Sequence, residues 1–392
     1  MFLGGSTQQI TAIKYAHEQG YYSVLCDYLI DNPGQFYSNE FHCVSTVDKE
    51  AILEIAKNTK IDGIVAYASD PAAATAAYVA QKLNLPSNSL ESVLLLSKKN
   101  LFRDFLKKHG FNCPNAKSFK SVEEAQNNLN EFQFPLMVKP TDSSGSKGVS
   151  RIDSIEELGV AFSDAISNSI TKTVIIEEYI EMAHECMNGG DVFVVNGKIE
   201  FYGFLNSHRN KEINTYIPIG NSYPLFIDEE LIREELQKLI NLLQIEMGAF
   251  NIEVMFDKNG KLYFIEIGPR NGGNMIPDLL ELITGVDLVK ATVEAALNNK
   301  KINMRYYPSE VFYSTYILHS SKKGKLKNIV FDEEIQENII KKVMFKELED
   351  DVEVFDKSNK LIGIIFLKYS SLKELKYKMN NMNQFIDVEV WS

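Results

Sequence analysis

Phe250-Asn-Ile-Glu253-Val-Met-Phe256 and Lys261-Leu-Tyr-Phe-Ile-Glu266-Ile267 flank Asp257-Lys258-Asn259-Gly260, and the whole stretch reads as a β-hairpin. Both flanks are rich in β-branched and aromatic residues, and Asn-Gly is the strongest short hairpin signal, suited to a two-residue type I′ turn. With Asn259-Gly260 as that loop, Lys258 pairs with Lys261, and counting outward places Glu253 directly opposite Glu266. Directly opposed residues point to one face, with Cβ atoms roughly 4.5–5.5 Å apart. Two like charges there destabilise a hairpin unless something neutralises them. A divalent cation would, and hard oxygen ligands suit Mg²⁺. A solvated, edge-facing pair of surface glutamates is the other reading of the same spacing.

The rest of the composition bounds what surrounds this pair. At 392 residues the chain exceeds one typical core, so two to four structural units are expected. Hydrophobic residues make up 45% and charged residues 24%, the balance of a soluble globular protein. Net charge is −12 without a basic cluster, which argues against nucleic acid as a partner. No apolar run approaches the ~18 residues of a membrane helix. The opening Met1-Phe-Leu-Gly-Gly-Ser6 lacks the charged and apolar regions of a signal peptide, so a cytoplasmic location is expected. Cys26, Cys43, Cys113 and Cys186 are scattered and read as reduced thiols. The six histidines are dispersed too, which argues against zinc.

Residues 1–96 alternate strand and helix. Gly4-Gly5-Ser6-Thr7 turns into a helix, Tyr22–Cys26 reads as a strand ending at Asp27, and Ile61–Tyr67 as another ending at Ser69-Asp70-Pro71. Such βα alternation implies a parallel sheet with ligand positions at strand C-termini. GxGxxG is absent, which argues against a nicotinamide enzyme. In residues 97–180, Ser97 is an expected N-cap for a helix Leu101–His109, followed by strands at Leu136–Pro140 and Val174–Ile180. Residues 181–300 hold further strands, an amphipathic helix near 229–246, the glutamate hairpin and a helix after Pro277. Residues 301–392 read as an α+β cap. The fold class is therefore α/β and α+β, in several domains.

Lys139 ends an apolar strand, where a partly buried lysine needs an anionic partner. The loop Asp142-Ser143-Ser144-Gly145-Ser146-Lys147-Gly148 can lay backbone N–H groups against phosphates, or can be a plain surface turn; it is not GxxxxGK[ST]. Glu177-Glu178-Tyr179-Ile180 closes a strand whose backbone could meet an adenine edge, or is an ordinary strand end. Arg270 follows Glu266 by four residues, and its planar fork suits a carboxylate or a phosphoryl group.

In this order these residues resemble the ATP-grasp superfamily of carboxylate–amine ligases. The resemblance implies an N-terminal Rossmann-like domain (1–96), a small ATP-grasp subdomain (97–180), a large subdomain (181–300) and a small C-terminal α+β region (301–392). It implies ATP and Mg²⁺, with Mn²⁺ as an alternative ion, small carboxylate and amine substrates, and a homodimer. By motif, Lys99, with Lys98 as the alternative, and Lys139 resemble the nucleotide lysines. Ser143, Ser144, Gly145, Ser146, Lys147 and Gly148 resemble the loop that closes on the phosphates. Glu177, Glu178 and Ile180 resemble the adenine hinge, and Glu185 the acidic residue near the ribose. Glu253 and Glu266 resemble the metal ligands, and Arg270, with Lys139, the residues that stabilise acyl phosphate formation.

Many members carry Asn two residues after the second glutamate, where this chain has Gly268. Glu-x-Gly-x-Arg is instead similar to the L-amino-acid ligase branch, which implies a metal site resting on the two glutamates plus phosphate oxygens, or one assisted by Asn271. Asp70, His208, Arg209, Asn271 and Gly272 are the expected substrate-side residues, His208 and Arg209 standing in the stretch Ser207–Lys211. The implied reaction phosphorylates a carboxylate with ATP and passes the acyl group to an amine, giving an amide, ADP and phosphate. Phosphorylation of bicarbonate, as in carbamoyl-phosphate synthases and biotin carboxylases, is the alternative chemistry. A non-catalytic ATP-binding module is the alternative of another class.

Overall fold

The computed structural model describes residues 1–210, 214–299, 302–306 and 310–391. Near the N-terminus, β1 (Phe2–Leu3), β2 (Val24–Asp27) and β3 (Glu40–Cys43) form a parallel sheet in that order. Helices Ile10–Glu18, Lys49–Thr59 and Asp70–Leu83 surround it. The expected strand Ile61–Tyr67 is reduced to a single parallel bridge, Val65 to Phe2. Gly4-Gly5 is a tight turn closed from within, because the Gly5 N–H donates to the Asp27 carboxylate at 2.7 Å.

Ser97 does not cap the next helix. It is the last residue of helix Leu90–Ser97, and its hydroxyl donates back to Val93 O at 2.7 Å. The following helix, Lys99–Lys108, starts instead with its first N–H, that of Lys99, on Thr141 O. Beyond it, β4 (Ala116–Phe119), β5 (Leu136–Pro140), β6 (Ser150–Ile152) and β7 (Val174–Glu178) make an antiparallel sheet ordered β4-β7-β5-β6.

An eight-stranded sheet forms the centre. It contains β8 (Met187–Val195), β9 (Lys198–Asn210), β10 (Asn214–Tyr223), β11 (Met247–Phe256) and β12 (Leu262–Gly268). The C-terminal residues add β13 (Phe312–Leu318), β14 (Gly324–Phe331), β15 (Ile339–Met344), β16 (Asp351–Val352), β17 (Gly363–Tyr369) and β18 (Ile386–Trp391). The central order is β12-β11-β8-β9-β10-β13-β17-β15, so β13, β15 and β17 continue the central sheet, while β16-β14-β18 stand apart.

Side-chain alternation sorts the two faces of this sheet. Val192, Val194, Ile252 and Val254 meet the apolar stripe Ile232, Leu236, Leu239 and Ile240 of helix Glu230–Leu242, whose spacing is helical. Phe193 and Ala249 face the other way, onto Leu279, Leu280 and Ile283 of helix Ile276–Thr284. Each stripe leucine is fully buried, so truncating Leu236 to alanine costs about 2–5 kcal/mol. With Ile252 and Val254 committed to the helix, Glu253 must project from the opposite face.

The hairpin loop is one residue longer than expected. Asp257 and Lys261 close it, with Asp257 N–H to Lys261 O at 3.0 Å and Gly260 N–H to Asp257 O at 2.9 Å, and Gly260 has φ +76°. This is a three-residue loop with glycine in the left-handed position. The register nevertheless shifts back by one between Glu253 and Val254, leaving Ile265 as an extra residue on β12, and Glu253 does pair with Glu266. The bulge also turns Glu266 out of the core: Leu262, Phe264 and then Ile267 are the buried positions. Among the described residues, no helix is long and apolar enough to cross a membrane.

Candidate active site

Two cavities meet at both glutamates of the hairpin, and a third, about 250 Å³, reaches Glu266 alone. Of the first two, the larger, about 460 Å³, lies between β5, β7 and the central sheet and includes Lys99, Lys139, Ser143, Ser146, Glu177, Glu178, Ile180 and Arg209 in its lining. Met137, Met182, Met187 and Met255 supply much of its apolar wall. The smaller, about 280 Å³, is walled by Ser6, Gln8, Asp70, Asn221, Arg270 and Asn274, among others. Ser146, Glu253 and Glu266 belong to both walls. Thus the two opposed carboxylates and the glycine-rich loop stand where one cavity passes into the next.

Each glutamate is balanced by a cation in this state. Lys99 Nζ lies 3.2 Å from Glu266 and donates to Ser143 O at 2.9 Å. Arg209 Nη2 lies 3.4 Å from Glu253, while Nη1 donates to Tyr216 O at 2.6 Å. Among the described residues no cluster of three or more His, Cys, Asp or Glu side chains exists that could hold a metal by itself. Two carboxylates on one wall do fit Mg²⁺, which commonly takes one or two protein carboxylates and completes its shell with phosphate and water oxygens.

Lys139 is 9% exposed and pairs with Glu177, which is 3% exposed and accepts from Arg103 Nε at 2.9 Å through its other oxygen. Burial alone would raise the Glu177 carboxyl, but the charges of Arg103 and Lys139 outweigh it and hold it down to about 2. Arg103 also donates to Ile265 O at 2.9 Å, tying β7 to the bulge. Sequence reading passed over Arg103, although it sits between the buried Phe102 and Leu106 on a helix.

Arg270 is held by Asp70 at 2.5 Å and by Asn271 O at 3.0 Å. Burial lowers the guanidinium's proton affinity, but Asp70 more than offsets it and raises the pKa above the ordinary value. Gly268 is part of this arrangement. A Cβ there would come within 2.8 Å of Asp70 Oδ1 and 3.0 Å of Arg270 Cζ, so an asparagine would collide with the pair. Gly272 N–H donates to both oxygens of Asp191 at 2.9 Å, and Asn251 Nδ2 donates to Asp191 Oδ1 at 2.9 Å. Asp191 was missed as well. Its signal is a lone charge where Gly189-Gly190 opens into the apolar run Val192–Val195.

Other expected positions fall elsewhere. His208 is buried, bonded through Nε2 to Ser222 Oγ at 2.8 Å, and lies outside both cavity linings. Asn271 accepts from Thr292 at 2.8 Å and lines a separate cavity, away from the glutamates. Glu185 is exposed and, like Lys147, Gly148 and Gly272, is not part of either lining, whereas Lys98 lines the third cavity with Asp70, Ser143 and Glu266. Lys211 lies outside the described residues.

Residues 104–274 match the ATP-grasp domain family. The carbamoyl phosphate synthase large chain of Thermotoga petrophila is 27% identical over 266 residues, covering 66% of this chain and 24% of that protein. Its Clostridium acetobutylicum counterpart is 26% identical over 348 residues, covering 84% and 30%. The chain thus spans about a quarter of the length of such curated relatives. Among solved structures, an L-amino acid ligase from Bacillus licheniformis aligns with a TM-score of 0.82 at 19% identity, covering all of this chain and 98% of that one. A phosphoribosylglycinamide synthetase from Anaerococcus prevotii aligns with a TM-score of 0.76 at 22% identity, with the same coverage. Residues 104–274 therefore match an ATP-grasp domain, and the whole chain shares its fold with these two solved structures.

Proposed function

We infer that this chain is an ATP-dependent carboxylate–amine ligase. The observation that carries the reading is the pair of cavities meeting at Glu253 and Glu266. Apolar methionine walls with two lysines in the larger cavity suit a nucleotide, the base against Met137 and Met255 and the phosphates toward Lys99 and Lys139. The polar smaller cavity suits a small carboxylate, with Arg270 as its partner. Glu178 and Ile180 serve the base edge, while Glu177 acts from behind by fixing Lys139. The division into residues 1–96, 97–180, 181–300 and 301–392 belongs to the same reading.

In this reaction a substrate carboxylate oxygen attacks the γ-phosphorus of ATP, and the bond to ADP breaks. An amine nitrogen then attacks the acyl carbon, phosphate leaves, and the amine gives up a proton. Lys99, Lys139 and Arg270 offset charge on the transferring group, so positioning and electrostatics do most of the work. Glu253 and Glu266 would hold Mg²⁺, whose chemistry is to draw charge from the phosphoryl oxygens. Loop 143–148 would shut out the water that hydrolyses an acyl phosphate.

One second reading is bicarbonate as the phosphorylated carboxylate, the anion held in the solved structure of a Hydrogenobacter thermophilus biotin carboxylase domain of similar fold. One assay separates the two: Mg²⁺-dependent ADP release across amino acids, sugar acids and bicarbonate, singly and with amines, with Glu266→Gln as blank. Release that needs an organic carboxylate and an amine together supports the ligase. Release with bicarbonate alone supports the second reading, and nucleotide binding without release under any pairing sinks both.

A further inference from the structure

The smaller cavity is closed on one side by a segment to which the ligase reading gives no part. Ser358 and Asn359 line it, from the turn between β16 and β17. Ser358 Oγ donates to Gly145 O at 3.3 Å, bringing this turn onto the glycine-rich loop across 213 residues of sequence. The fit is close. A Cβ at Gly145 would stand 2.4 Å from Ser358 Oγ, and Gly145 has φ +66°, a conformation that glycine adopts without strain.

The turn is anchored independently of the loop it touches. Phe355 is fully buried and stacks on His319 with ring centroids 4.8 Å apart, and its N–H donates to Ser320 O at 2.9 Å. Lys360 pairs with Asp356 at 2.8 Å, and Ile362 N–H donates to Leu318 O at 2.8 Å. The Phe355 and Ile362 contacts tie the turn to the end of β13, and the Lys360–Asp356 pair braces it from within. The loop meets this turn through Gly145 and the start of β10 through Ser146 Oγ, which donates to Tyr216 O at 2.7 Å.

We propose that the Asp356–Lys360 turn is a fixed stop for the glycine-rich loop, in which Ser358 sets the loop's closed position and Asn359 contacts the small substrate. Ser358 is a positioning residue: it acts on the phosphates through Gly145. Asn359 is a specificity-determining residue, its carboxamide offering both a donor and an acceptor to a polar ligand. The occupant of the cavity rests on the ligase reading above. The stop itself rests only on the contact between the two segments.

Trypsin cleavage after Lys147, inside the loop, reports loop opening without any turnover. Ser358→Ala is expected to speed that cleavage several-fold at unchanged melting temperature, Ser358→Thr to restore it, and Asn359→Ala to leave it as in the wild type. In the ADP-release assay, Ser358→Ala is expected to raise the share of ADP formed without amide. Asn359→Ala is expected to raise the KM of one non-nucleotide substrate about tenfold, the worth of one lost hydrogen bond, with the KM for ATP unchanged. Wild-type cleavage in Ser358→Ala overturns the stop, and wild-type KM values in Asn359→Ala overturn the substrate contact. Faster cleavage in a protein that turns over no substrate upholds the stop and removes the ligase reading.

Discussion

Lys139 and Glu177 form a buried ion pair at the wall of the larger cavity, and Arg103 holds the other oxygen of the same carboxylate at 2.9 Å. One carboxylate therefore serves two cations, and the trio carries one net positive charge. Burial pushes the Lys139 ammonium below its usual pKa; Glu177 opposes that shift and Arg103 adds to it. A buried cation with half a partner favours an incoming anion, which is what a phosphate-binding wall requires.

Arg103→Met tests that arrangement. It leaves Lys139 and Glu177 matched one to one, strips the wall of its net charge, and removes the donor from Ile265 O. Losing the charge-assisted bond to Glu177 costs about 1.5–3 kcal/mol. Urea unfolding should show that loss, and titration with ATP should show weaker binding. An unchanged urea midpoint would contradict the assigned network.

Glu266→Gln should behave in the opposite way, sparing the fold and removing the chemistry. The substitution relieves a like-charge pair worth about 0.2–1 kcal/mol on a hairpin, while Lys99 loses its 3.2 Å partner. The two changes roughly cancel, so stability should move by less than about 1 kcal/mol. ADP release should fall by about 10²–10³-fold, as when one preorganised charge partner of a transition state is lost. Glu253→Gln should do the same, and chelation of Mg²⁺ should abolish release in the wild type. Full activity in either variant would remove the hairpin from the mechanism.

His208 gives the protein a pH dependence unconnected with catalysis. Burial lowers its pKa to about 4 from an ordinary 6.5. The unfolded chain therefore takes up a proton in a window where the folded one does not. That contribution is fully present above pH 6.5 and is lost as pH falls toward 4. By linkage the loss between pH 7.5 and pH 5 is about 2 kcal/mol. Urea melts at these two pH values should differ by that amount in the wild type, and by correspondingly less in His208→Gln, whose amide still reaches Ser222. Equal differences in both proteins would show that His208 is solvated.

Much of this site was legible because it depends on local chemistry. A lysine ending an apolar strand, a small polar loop after it and two glutamates flanking Asn-Gly can each be read within a few residues. The opposition of Glu253 and Glu266 was reached by two steps that cancel, since the loop holds one residue more than expected and Ile265 bulges by one. The bulge had no local signal, because Leu262, Phe264, Ile265 and Ile267 are all apolar and a period of two fits either face. What could not be read is long-range pairing. Arg270 and Asp70 were each singled out, but nothing local brings together residues 200 positions apart. His208 looked available for a substrate because its partner Ser222 arrives from the neighbouring strand, β10.

Gly268 is where that long-range pairing can be tested. Its own φ lies outside the left-handed region, so the backbone does not require glycine there; the space does. A methyl group at 268 would press on Asp70 Oδ1 at 2.8 Å and on the Arg270 guanidinium at 3.0 Å. Both contacts are to side-chain ends, which can yield only by loosening the 2.5 Å bond between them. Gly268→Ala should therefore cost about 1–3 kcal/mol in stability, the usual range for overpacking. It should raise the KM of the carboxylate substrate and lower kcat while leaving ATP affinity intact, because Lys99 and Lys139 lie in the other cavity. Asp70→Asn, which weakens the same bond without added bulk, should reproduce the kinetic change at a smaller cost in stability. If Gly268→Ala weakened ATP binding as much as carboxylate binding, Arg270 would belong to the nucleotide side of the site.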